Sequence, residues 1–81
     1  MSKIPVITGK AFISFLESLG FSIVRKKGSH VRLKSMDGKF TTVPIHGNKD
    51  LPKGLLRKII REDIERSLER FIELYTKFKS E

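Results

Sequence analysis

The chain has 81 residues, of which 38% are hydrophobic and 32% charged, with no cysteine and a formal charge of +8. That length points to a single domain over residues 1–81 with a small core, and the missing cysteines exclude a disulfide framework or a thiolate metal site. With no apolar run of about 18 residues and no signal-peptide pattern, no membrane partner is expected and the expected location is the cytoplasm.

The charge is unevenly placed. Residues 1–58 carry 12 Lys/Arg against 3 Asp/Glu, whereas residues 59–81 carry 5 against 6. A basic excess concentrated in one part of a chain is the electrostatic footprint of a nucleic-acid binder, the plainer alternative being a merely soluble basic protein.

Pro5 disfavours helix at Ile4, so residues 1–7 are expected to be extended. Thr8 suits a helix cap, and Phe12, Ile13, Leu16 and Leu19 follow at helical spacing up to Gly20, predicting a first helix over residues 8–19. Strand formers Phe21, Ile23 and Val24 predict a first strand over 21–26. Lys27-Gly28-Ser29 punctuates the chain before His30-Val31-Arg32-Leu33-Lys34, which alternates strictly. The second strand, over 30–35, therefore sends Val31 and Leu33 to one side and His30, Arg32 and Lys34 to the other. Asp37-Gly38 is a hairpin signal, and a third strand is predicted over 39–45, with Pro44 suggesting that it lies at an edge or frays near its end.

Asp50 is the expected cap of a second helix over 51–61, with Pro52 in its first turn and Leu51, Leu55, Leu56, Ile59 and Ile60 as its apolar stripe. Ile64, Leu68, Phe71, Ile72, Tyr75 and Phe78 continue the helical period. Ser67 suits the cap of a separate helix, although Arg70 stands where a full capping box has Glu or Gln. A break near 62–66 and a C-terminal helix over 66–79 are expected, one continuous helix being the alternative. The closing stripe can cover the core, and is long enough to receive a protein partner or a second copy. Helix, three-stranded antiparallel meander, helix, helix is an α+β arrangement with one sheet face covered and the other open.

Residues 1–58 offer only Glu17, Asp37 and Asp50 as acids, too scattered for a metal hydrolase, so neither a metal nor a cofactor is expected. Ser29 is poorly placed as a nucleophile for His30, because neighbours on a strand point to opposite faces. RNA cleavage asks for less. Its nucleophile is the substrate's own 2′-hydroxyl, which leaves the protein to move protons and to stabilise charge on a phosphate. Histidine does the first near neutral pH, and Lys or Arg the second without metal. His30 is thus the catalytic candidate, with an ordinary surface histidine as the plainer alternative.

Lys27, Arg32 and Lys34 flank it as candidate phosphate contacts. Lys49, Lys53, Arg57 and Lys58, around the start of the second helix, are candidates for a second RNA-gripping wall. His46, beside Gly47, is a candidate second proton carrier or phosphate ligand, the plainer alternative being an exposed loop residue. Phe12, Phe15, Phe21 and Phe40 can stack bases or fill the core; the core is expected for most, with Phe15 and Phe40 the open cases.

Gly28-Ser29-His30-Val31-Arg32-Leu33, Asp37-Gly38, the run Thr41-Thr42-Val43-Pro44-Ile45-His46-Gly47-Asn48-Lys49 and Lys53-Gly54-Leu55-Leu56-Arg57-Lys58-Ile59-Ile60 closely resemble the HicA (YcfA-like) toxin family. Ile7-Thr8-Gly9-Lys10 and Leu19-Gly20-Phe21 resemble its opening, so the likeness runs over roughly residues 4–72. Gly-Ser-His followed by Val-Pro-x-His-Gly at this separation is more specific than either piece alone. The resemblance implies an α-β-β-β-α fold like that of double-stranded-RNA-binding domains, here with an additional C-terminal helix. It implies an endoribonuclease acting on mRNA, with His30 catalytic and Gly28 and Ser29 shaping the approach to it. It also implies a HicB-like antitoxin as partner, in a hetero-oligomer or beside a homo-oligomer. The family often has a glycine-containing break where this chain reads Ile64-Glu65-Arg66. A non-catalytic RNA-binding module using the same basic face is the alternative.

Overall fold

The computed structural model describes residues 4–80, so the first three residues of the expected extended lead lie outside it. Helix α1 covers Gly9–Ser18, and its first turn is closed by Ala11 N–H donating to the Thr8 hydroxyl at 3.1 Å. Gly20 ends it in the left-handed region at φ +100°. Strands β1 (Ser22–Lys27), β2 (His30–Lys34) and β3 (Phe40–Pro44) form an antiparallel sheet in the order β1-β2-β3. Pro44 is the last residue of an edge strand, where its missing N–H breaks no ladder.

Alternation on β2 buries Val31 and Leu33 and leaves His30, Arg32 and Lys34 exposed. Val31, Leu33 and Val43 join Phe12, Phe15 and Leu16 of α1 in one core. Burying each such side chain contributes about 1.5–3 kcal/mol. The start of α1 lies close enough to β3 that a Cβ on Gly9 would collide with the Pro44 carbonyl oxygen. Only glycine fits there.

The second helical region differs from its expected course in two ways. Its cap is Pro52, with no side-chain hydrogen bond; Asp50 instead pairs with Thr8 in an isolated bridge, so it is not the helix cap. Helix α2 is also short, Lys53–Lys58, and runs into a π-helical segment, Ile59–Asp63. A regular helical period would carry α2 onward; here Ile64 N–H reaches back to the Ile59 carbonyl at 2.9 Å. The wider turn lets Ile59, Ile60 and Ile64 all enter the core while Asp63 turns toward the sheet. Thr41, a buried polar residue, donates its hydroxyl to Asp63 Oδ2 at 2.9 Å and fastens the segment to β3.

The break follows. Glu65 adopts φ +51°, a conformation that costs a residue with a Cβ about 1–2 kcal/mol. Helix α3, Leu68–Lys79, starts at Ser67, whose hydroxyl accepts from Arg70 N–H at 3.1 Å. The expected cap is formed without the box. The closing stripe folds back: Phe71 and Tyr75 are buried against α1, with Phe15 meeting both rings edge-on at 5.4 Å. Each such pair adds about 0.5–1.5 kcal/mol beyond burial, and burial raises the Tyr75 phenol above its ordinary pKa.

Candidate active site

Directly opposed residues on antiparallel strands share a face, so the register maps the open side of the sheet. Pro44 and Lys27 lie opposite His30, Thr42 and Arg25 opposite Arg32, and Phe40 and Ser22 opposite Lys34. Arg25 reaches this face through a bulge. Ile23 pairs with Leu33 but Arg25 with Arg32, leaving Val24 as an extra residue. In unbroken register Val24 would oppose Arg32, and Arg25 would oppose Val31 on the core side. The bulge therefore turns both Arg25 and Lys27 toward His30.

Two depressions share His30. One, of about 190 Å³, is walled by Arg25, Lys27, Arg32 and Thr42. The other, of about 430 Å³, lies between the open face and the α2–π region, where Arg32, Phe40 and Pro44 face Leu55, Lys58 and Asp63. Three cationic side chains, Arg25, Lys27 and Arg32, thus wall one imidazole on the sheet, and Lys34 extends the row along the same face. Asp63 is the carboxylate at the groove, and Thr41 occupies it by hydrogen bonding.

Of the residues singled out beforehand, His30, Lys27 and Arg32 come together here, and Lys34 lies on the same face at the far end of β2. Gly28, at φ +59°, and Ser29 make the tight turn that delivers His30 to the start of β2; the Ser29 carbonyl accepts from Ile45 N–H at 2.6 Å. His46 and Lys49 are exposed in the loop after β3 and line neither depression. Lys53 and Arg57 are exposed on α2 without lining them; the helical cation that does is Lys58. Phe12, Phe15 and Phe21 are core, while Phe40 is 43% exposed. Arg25 was not foreseen, since nothing in the residue pattern announces a bulge. Among the described residues, no three His, Asp or Glu side chains are grouped as metal ligands would be, and no helix is long and apolar enough to cross a membrane.

The family model described as HicA toxin of bacterial toxin-antitoxin matches residues 9–64, from the first residue of α1 to just past the π-segment. The chain belongs to the HicA toxin family. A curated relative, the probable mRNA interferase HicA of Pseudomonas fluorescens (strain Pf0-1), is 35% identical over 51 residues, covering 63% of this chain and 83% of the relative. The HicA match takes in the sheet, His30 and the groove wall formed by α2 and the π-segment. Helix α3 lies beyond it and completes the core through Phe71 and Tyr75.

Proposed function

We propose that this HicA family member is the toxin of a toxin–antitoxin pair, an endoribonuclease that cuts mRNA without a metal, with His30 as its proton carrier. The observation that carries this is an exposed imidazole ringed by Arg25, Lys27 and Arg32 on the uncovered side of the sheet. Cleavage forms a bond from the 2′-oxygen to phosphorus and breaks the bond from phosphorus to the 5′-oxygen. One proton leaves the 2′-hydroxyl and one arrives on the 5′-oxygen, giving a 2′,3′-cyclic phosphate and a 5′-hydroxyl. His30 moves one of these protons, while the neighbouring guanidinium and ammonium groups take the charge that builds on the phosphate oxygens. A HicB-like antitoxin would silence the toxin by covering this face.

The test is cleavage of single-stranded RNA by the purified chain in EDTA, beside His30→Ala. The expected result is cutting with cyclic-phosphate ends by the parent and a loss of about 10²–10⁴-fold in the variant. Binding without cutting by either protein would reduce the site to an RNA-holding module.

A further inference from the structure

Phe40 is an anomaly among the six phenylalanines. Phe12, Phe15, Phe21 and Phe71 are buried and Phe78 is half-buried against the core, yet Phe40 is 43% exposed. Single exposed apolar side chains are ordinary. What distinguishes this one is its company. The Arg32 guanidinium carbon lies over the ring, 4.6 Å from its centroid, and the Lys34 ammonium lies over it at 5.5 Å. These cations cover part of the ring, and a base has the remaining exposed surface. The ring also lines the groove that holds His30. Register places it opposite Lys34, four residues along β2 from His30, about 13 Å at the rise of a strand.

An aromatic surface flanked by cations is what proteins offer an unpaired nucleobase, the ring taking the base and the cations its phosphates. Two cations against the same ring suit a polyanionic strand, whose successive phosphates they can hold beside a stacked base. The groove's one carboxylate, Asp63, is engaged by Thr41.

We infer that Phe40 is a base-stacking platform, holding a nucleobase of single-stranded RNA at one end of the groove so that a phosphodiester further along the strand lies at His30. Phe40 is a positioning residue: it touches the substrate away from the bond that breaks. The inference rests on the proposed nuclease function and narrows its substrate to unpaired RNA, because a base held in a duplex presents no free face to the ring.

The chain contains no tryptophan, so Phe40→Trp installs a single reporter at the platform. The probe is a short single-stranded RNA, 2′-O-methylated so that it cannot be cut, together with versions carrying one abasic site at each position in turn. The expected result is tight binding by Phe40→Trp, with tryptophan quenching that disappears for one abasic position and for the duplex form. Phe40→Ala and Phe40→Leu are expected to weaken binding of the intact strand about 5- to 150-fold. They should leave the matching abasic strand bound as weakly as the parent binds it. A merely structural role would weaken all strands alike. Equal losses on intact and abasic strands, or no quenching of Phe40→Trp by bound RNA, would overturn the inference. Cleavage is scored separately on unmodified RNA with the parent and His30→Ala. Quenching without cleavage removes the nuclease and keeps the platform; cleavage without base-dependent quenching does the reverse.

Discussion

The two faces of the sheet are built from alternate residues of the same strands, yet they answer to different constraints. On one, Val31, Leu33 and Val43 are packed under α1 at 4% exposure or less. On the other, His30, Arg32 and Lys34 stand in a row beside Arg25 and Lys27. Repulsion among four cations on so small a surface works against folding, and the core face offsets it. Stability should therefore reside in one set of positions and activity in the other, one residue apart in the chain.

The widest separation is expected at His30. His30→Ala should lower single-turnover cleavage by at least about 100-fold while moving the melting temperature by no more than an ordinary surface substitution does. Cleavage and thermal melts on the same preparation check this, and a large drop in melting temperature would mean that the imidazole is structural. Leu33→Ala is the mirror case. It empties a site with no exposed surface and should cost about 2–5 kcal/mol, measured by urea unfolding. The folded fraction should still cut RNA at the parental rate.

Thr41→Val tests the boundary between the faces. Thr41 belongs to the core side by register, but its hydroxyl reaches Asp63 at the groove wall. Losing a hydrogen bond to a carboxylate should cost about 1.5–3 kcal/mol. Because that bond fastens the π-segment to β3, cleavage should fall as well, through KM more than through kcat. Unchanged KM beside lowered stability would show that the wall holds its place without this tie.

Much of this division was legible in the residues. Strict alternation over residues 30–34 assigns each side chain to its face, and Thr8 and Ser67 announce helix starts that the structure forms. What the residues did not announce are departures from regular period. The π-segment costs one irregular turn and gains burial of Ile59, Ile60 and Ile64 together, a tertiary bargain invisible to local propensity. Asp50 suited a cap, but the chain uses its backbone to bridge Thr8. The second wall was expected from Lys49, Lys53, Arg57 and Lys58; of these only Lys58 lines the groove, Lys53 and Arg57 being exposed elsewhere on α2 and Lys49 lying in the loop after β3. Arg25 is the plainest miss. A strand read at period 2 from Ile23 puts Arg25 with the core residues, and only the extra residue at Val24 reverses that.

That reversal gives the smallest effect and the sharpest distinction. Arg25 and Lys26 are adjacent, both exposed and both cationic, so composition cannot tell them apart. Register can: Arg25 lies opposite Arg32, and Lys26 lies opposite Val31. Each phosphate contact on single-stranded RNA releases bound counterion, so losing one should flatten the slope of log affinity against log salt by about 0.7. Arg25→Ser should show that change, with only a several-fold loss of affinity. Lys26→Ser removes the same charge from the other side of the strand and should leave the slope near the parental value. Fluorescence-anisotropy titrations across a salt series would measure both. Equal flattening by the two variants would mean that RNA senses the total charge of β1 and that the bulge directs nothing toward His30.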